Sequence, residues 1–418
     1  MSSQQPPAAL PHASELPLAV RVGAYLSVLL GYIFYCYNYI VVGYVRPFLV
    51  GQAGFSVSDT ALISMAGNIG VTIGAIIWAS FIARVGRRRA VAITAAGIGI
   101  MAAIQASQFI LGVWIGSRFV MDALLGGYYV VATSLVVALF PATSRAKLVA
   151  LNSAMYPAAN VAIGLLGGYL GETGWHVMLW IAAAPLAISV LLWFAVPDDS
   201  TYLPFADGDE APSAETGENA PTGGWREMFS PRLRWITIGC ILLSGIDFNA
   251  YQLFQGFVTL YIHTERGMSA GTMGAIVAAI STGAFIGNFF WAVIADRFGR
   301  RPPLIGYVFA AAMLLVFLRP GFGQLELSVA GFFFGVGVAC TTAWGAWFAE
   351  LFPVHLRTHG AALFHVGHIL AIGAPLMAAW TSESFGMTRS MGLAAIVYIA
   401  GAALWYALPE TLVRAKRQ

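Results

Sequence analysis

The residues able to do chemistry in this chain are few, and they sit where ionised groups are costly. Arg118 and Asp122 fall inside the apolar run 113–140, Asp247 inside 233–262, and His365 and His368 inside 358–380. In a hydrocarbon setting each such charge costs several kcal/mol unless it is paired or wet, so each is a functional candidate. Arg118 and Asp122 are four residues apart, on one helical face and within pairing distance. Burial favours the protonated acid and an adjacent cation favours the carboxylate. Opening the pair to water, or occupying Arg118 with an anion, would therefore switch the proton affinity of Asp122. A permanent ion pair that only helps the helix to pack is the alternative use.

Asp247 is a second candidate proton site, or a neutral acid bonded to a nearby hydroxyl or carbonyl. His365 and His368 share a face and imidazole titrates near neutrality, although buried histidines are more often core residues than ligands. Two histidines without a carboxylate make an incomplete metal site, so neither metal nor cofactor is expected. Tyr35, Asn38, Tyr156, Asn160, Gln252 and Trp344 lie at mid-helix depth. With Arg118 and the two histidines they form the candidate substrate-binding set.

The elements holding these residues follow from composition. Of 418 residues, 59% are hydrophobic and 10% charged, too little polar surface for a water-soluble globule of this size. Apolar stretches of spanning length recur near 22–48, 58–83, 89–110, 113–140, 146–170 and 175–196. They recur again near 233–262, 269–295, 303–319, 325–351, 358–380 and 388–408. The expectation is an all-α membrane protein of twelve transmembrane helices, with no alternation suited to a β-barrel.

Residues 197–231 are rich in Asp, Glu, Pro, Ser and Gly and read as a solvated linker between two six-helix bundles, 21–196 and 232–409. Residues 1–20 and 410–418 read as cytoplasmic tails, the first disordered and without a signal-peptide pattern. Basic residues cluster on one side, at Arg84–Arg89, Arg145, Arg226–Arg234, Arg297–Arg301, Arg357 and Arg414–Arg417. That bias puts both termini in the cytoplasm, leaving Arg46, Arg266, Arg319 and Arg389 to the outer loops. A net charge of +3 in such short clusters gives no sign of a nucleic-acid partner. Cys36, Cys240 and Cys340 all lie in apolar segments, where they behave as small hydrophobes.

A duplication ties the halves together. Gly86-Arg87-Arg88 follows the second segment and Gly299-Arg300-Arg301 the eighth, with Arg84 and Arg297 two positions ahead of each glycine. Leu139-Phe140-Pro141 with Arg145 follows the fourth segment, and Leu351-Phe352-Pro353 with Arg357 the tenth. Both landmarks share an offset of about 212 residues, the mark of an internal repeat. By that offset Asp247 stands opposite Tyr35. Parallel repeats of this kind place a solute site at their interface near midplane. The basic loops then read as gates: Asp296, Arg297 and the Arg84/Arg87/Arg88 cluster are expected to bond to the facing half when the cytoplasmic side closes. Glu350 with Arg357 offers a matching latch.

The run Ala295-Asp296-Arg297-Phe298-Gly299-Arg300-Arg301 resembles the cytoplasmic loop signature of the major facilitator superfamily, and the topology resembles it over the whole chain. In the first-half copy, Ala83 stands where that family usually has Asp. Glu350-Leu351-Phe352-Pro353 with Arg357, together with Arg118, resembles the sugar-porter and aromatic-acid/proton symporter branches. Those symporters usually carry aspartates in the first helix, where this chain has Tyr35-Cys36-Tyr37-Asn38, and an Arg in the eleventh, where it has His368. The resemblance implies a secondary carrier, not an enzyme, in the inner membrane and monomeric. Its expected partners are a small organic anion and protons, with Arg118, Asp122 and Asp247 as coupling residues. A proton-antiporting exporter of cationic or amphiphilic compounds and a sugar-type facilitator are the alternatives.

Overall fold

The computed structural model describes residues 10–205, 224–353 and 356–411. The first half contains α1 (Leu18–Gly51), α2 (Val57–Val85), α3 (Arg87–Ser107), α4 (Leu111–Leu139), α5 (Ala142–Leu170) and α6 (Trp175–Thr201). The second contains α7 (Arg234–Glu265), α8 (Ala270–Phe298), α9 (Pro302–Phe317), α10 (Gln324–Glu350), α11 (His359–Ala371 with Ala374–Phe385) and α12 (Met387–Ala407). Each coincides with one predicted segment. Among the described residues ten of these helices are long and apolar enough to cross a membrane. The pair within α11, bent by 41°, makes an eleventh, and α9 is a shorter apolar helix.

Several helices start and pack for reasons visible in the sequence. Ser56 caps α2 by accepting from Asp59 N at 3.0 Å, while Asp59 Oδ2 accepts from Ser56 N at 2.9 Å, so two orphan donors are satisfied together. Small residues then let backbones approach closely. A Cβ added at Gly70 would overlap the Phe119 carbonyl, and one at Gly74 the Ala123 carbonyl, which brings α2 against α4.

The duplicated loops fold alike. Gly86 (φ 83°) and Gly299 (φ 115°) both turn in the left-handed region, where a side chain would strain the backbone. After the first turn Arg87 N donates to Asp199 Oδ2 at 2.6 Å, and the Arg87 guanidinium reaches Asp199 Oδ1 at 3.2 Å. After the second, Arg300 N and Arg301 N donate to the Glu410 carboxylate at 2.9 and 2.8 Å. Asp199, in the last turn of α6, thus holds the loop amide as Glu410 does in the second half, and it also takes the Arg87 guanidinium in the absence of an acid at position 83. Tyr202 donates to the same Asp199 at 3.2 Å, and burial, ahead of the nearby Asp199 charge, pushes its phenol up to about 12.

The tail and linker expectations need revising. Ala13 is fully buried and donates its N–H to Leu203 O at 2.8 Å, so residues 10–17 are held against the segment that leaves α6. Phe205 N likewise donates to Ala138 O at 3.1 Å, and Gly224–Met228 is helical. The remainder of the expected tails and linker, residues 1–9, 206–223 and 412–418, lies outside the described residues.

Arg300 anchors the second-half loop. Its guanidinium donates to Asp296 Oδ1 at 2.8 Å and to both oxygens of Glu350 at 2.7 and 3.1 Å. The hydrogen bonds it donates to Glu350, then the one to Asp296, hold Arg300 above the ordinary arginine range. Arg300→Ala should destabilise the protein by about 2 kcal/mol, a discounted figure because Asp296 and Glu350 are partly solvated. Thermal unfolding of the purified protein measures it.

Candidate functional site

A cavity of about 110 Å³ lies between the halves. From the first half, Tyr39, Gly43 and Arg46 of α1, Ser64 and Asn68 of α2, and Asn160 of α5 face it. Arg118 and Asp122 of α4 complete that wall. Tyr251, Gln252, Gln255 and Gly256 of α7 and Ser281 of α8 form the other.

The predicted Arg118–Asp122 pair forms. Arg118 Nε donates to Asp122 Oδ2 at 2.9 Å and Nη1 to the Asn38 carbonyl at 3.0 Å. Both side chains are nearly inaccessible, 5% and 3% exposed. Asp122 Oδ1 is buried without a hydrogen-bond partner. A carboxylate on a cavity wall that spends one oxygen on a guanidinium and leaves the other without a partner is placed to take a proton or a solute hydroxyl. Gly67 of α2 packs on the pair, and a Cβ there would overlap Asp122 Oδ2 and come to 3.2 Å from Arg118 Nε. Gly67→Ala should therefore part the two charges. It should lower the uptake rate about tenfold and cost about 1–3 kcal/mol of stability, read by initial rates and thermal unfolding.

The other sequence candidates divide. Asn160 and Gln252 line the cavity. Tyr156 and Tyr251 approach oxygen to oxygen at 3.3 Å, joining α5 to α7 across the halves. Asn38 turns away and donates to Phe34 O and Ala182 O, each at 3.0 Å, so it binds α6. Trp344 is buried in the second half, stacked on Phe348 with centroids 5.4 Å apart. Asp247 is half-buried and accepts a 2.6 Å hydrogen bond from Tyr307 of α9. That is the neighbouring-hydroxyl arrangement weighed above, and Asp247 does not line this cavity. Tyr35 packs against Tyr32 and Tyr129 at 4.8 and 6.4 Å. His368 stacks on Phe248 at 3.3 Å, while the side chain of His365 lies outside the described residues.

Among the gating candidates, Arg87 and Arg88 pair with Asp199 and Asp198 at 3.2 and 3.8 Å. Arg300 pairs with Asp296 and Glu350, and Arg301 donates to Leu408 O. All of these contacts stay within one half. The Glu350 carboxylate is taken by Arg300 and Thr411, with Arg357 acting on it through its charge. Arg84 is exposed, and Arg297 is exposed over the ring of Phe298.

The halves meet at the opposite end, where α1 runs into α2. Gly164 of α5 and Gly274 of α8 approach so closely that a Cβ on either would strike the other's carbonyl. Ser58 of α2 donates to Glu383 of α11 at 2.7 Å.

Sequence reasoning misplaced Arg46. The charge bias places it with the outer loops, although the apolar segment 22–48 includes it; α1 continues to Gly51 and Arg46 is 3% exposed. Proline removes the hydrogen bond to the carbonyl four residues back, here Gly43 O, and Thr259 Oγ1 of α7 supplies it at 2.7 Å. In return Arg46 Nη1 donates to Gly256 O, freed where α7 breaks into turns. The repeat spacing that relates Gly86 to Gly299 also relates Gly43 to Gly256 and Arg46 to Thr259, so the two bonds are symmetry mates.

Comparison with known proteins agrees with this architecture. A bacterial homologue of the human lysosomal transporter Spinster, in an inward-facing and unoccupied conformation, superposes with a TM-score of 0.75 at 15% identity, covering 94% of this chain and 97% of that one. A D-xylose–proton symporter does so with a TM-score of 0.69 at 16% identity, covering 93% and 98%. These likenesses define the fold: a duplicated helical bundle with a cavity between its repeats. Residues 28–269 and 241–418 match the family model of the Major Facilitator Superfamily, and the chain belongs to that superfamily. Among its relatives, the cis,cis-muconate transport protein of Acinetobacter baylyi is 25% identical over 72% of each chain. The gallate transporter of Pseudomonas putida is 24% identical over 84% of this chain and 82% of its own. The gentisate transporter of Corynebacterium glutamicum is 26% identical over 84% and 80%.

Proposed function

We propose that the protein is a proton-coupled symporter that imports a small organic acid, such as an aromatic or ring-derived carboxylate, by alternating access. The observation that carries the reading is the Arg118–Asp122 pair on the wall of a cavity shared by both repeats, with one carboxylate oxygen left without a hydrogen-bond partner. Protonating Asp122 weakens its hold on Arg118 and leaves a cation facing the solute; deprotonation restores the pair and releases the anion. The relatives named for muconate, gallate and gentisate transport favour the same substrate class. A cavity of about 110 Å³ has the scale of a single ring, since engineered cavities of about 150 Å³ accept benzene.

With both termini cytoplasmic, the closed seam between Gly164 and Gly274 is the outer gate, and the state described is open or opening inward. The ion pairs and hydrogen bonds of Arg87, Arg88, Arg300 and Arg301 each stay within their own half, in keeping with an inward-facing carrier. An exporter of organic cations is a poorer fit. Two guanidinium groups and one carboxylate face the cavity, and that balance repels positive charge.

Uptake into proteoliposomes tests the reading. Gallate should accumulate under an inward proton gradient and fail to do so when the gradient is reversed. Uptake of organic cations in its place, or efflux driven by an inward gradient, would contradict it.

A further inference from the structure

Arg46 has more capacity than its place in the seam uses. Its Nη1 holds Gly256 O, its Nη2 donates to Ser64 Oγ at 2.7 Å, and its guanidinium lies over the Phe257 ring at 4.5 Å. No carboxylate partner of Arg46 appears among the ion pairs of the described residues, and its Nε is buried without a hydrogen-bond partner. Arg118 has Asp122 for a counter-ion; the other buried arginine of the cavity has none. Both stand within electrostatic range of one another. With Asp122 ionised, these three groups leave one uncompensated positive charge at the cavity.

The pseudo-symmetry separates the structural use of this residue from the rest. At the related position in the second half, Thr259 makes the equivalent bond with a neutral hydroxyl. Closing the seam therefore calls for a donor, not a charge. An unpaired cation in a low-dielectric wall is costly, and an arriving anion offsets that cost.

We propose that Arg46 binds the carboxylate of the substrate, which docks on the unused Nε edge of the guanidinium. The inference rests on the reading of the protein as an organic-acid carrier and assigns the anion site within it. Arg118 then passes between Asp122 and the solute as the proton comes and goes, while Arg46 holds the carboxylate and has no competing acid. Because the same guanidinium holds Gly256 O, occupancy of the site and strength of the outer seam draw on one side chain.

Calorimetric binding to the intact purified protein tests this, using gallate, gentisate and cis,cis-muconate as carboxylates and gallamide as the uncharged isostere of gallate. Arg46→Gln should weaken the carboxylates by about thirtyfold or more, as expected when a buried charge partner is removed, and leave gallamide within about threefold. Thr259→Val, which removes the symmetry-related bond without altering charge, should affect gallate and gallamide equally. If Arg46→Gln does not fold, Arg46→Lys decides. It keeps the charge and loses the fork, so gallate should weaken about tenfold with gallamide unchanged. Equal loss for acid and amide in either arginine variant, or unchanged gallate binding, overturns the assignment while leaving the acid-carrier reading intact. A native protein that binds none of the three acids in preference to the amide overturns the reading itself.

Discussion

Asp122→Asn is expected to abolish gradient-driven accumulation while sparing exchange. For one proton per substrate, a two-unit inward gradient sustains about a hundredfold concentration of solute; the variant should stop at equal concentrations on both sides. The amide keeps an oxygen to accept the 2.9 Å bond from Arg118 Nε, so packing against Gly67 and the Asn38 carbonyl is retained. What it loses is the ability to gain and give up a proton. Counterflow of labelled against unlabelled gallate needs no net proton movement and should persist at a substantial fraction of the native rate. If Asp122 served only to pack α4, the opposite pattern would appear, with reduced stability and intact accumulation.

Gly274→Leu should force the outer seam open. The Gly274 backbone meets the carbonyl of Gly164 and the backbone of Gly168. Neither can yield by rotating a side chain, so the overlap must be relieved by separating α5 from α8. Overpacking of this sort costs about 1–3 kcal/mol in the closed arrangement. An equilibrium between outward and inward states shifts by about ten- to a hundredfold for that energy. A cysteine introduced at Asn160, on the cavity wall, should then react about tenfold faster or more with a membrane-impermeant maleimide added from outside, and net transport should fall by a similar factor. Unchanged labelling would mean that the seam is not the gate.

The contrast between what was legible in the sequence and what was not has a physical basis. Lipid demands long apolar helices whatever their tertiary contacts, so each helical segment could be located from composition and punctuation. The Arg118–Asp122 pair could also be read, because it depends only on spacing along one helix. Arg46 could not. The apolar run reaches past Pro47, but whether a cation inside it stays buried depends on the Gly256 carbonyl and the Ser64 hydroxyl, which other helices contribute. The one available signal was the repeat itself, which aligns Arg46 with a residue in the middle of α7. Asn38 and Trp344 failed for a related reason. Depth in a helix is visible in sequence, but the face that meets the cavity is set by how helices rotate against their neighbours. The acid holding the first-half loop was hidden for the same cause, since Asp199 reaches the loop only once α6 has packed beside it.

Proton movement measured alongside solute entry bears most directly on the central claim. In proteoliposomes carrying the native protein and an internal pH dye, with no imposed gradient, adding gallate outside should acidify the interior in fixed proportion to the gallate taken up, and gallamide should give no signal. Gallate entry without acidification would contradict the account.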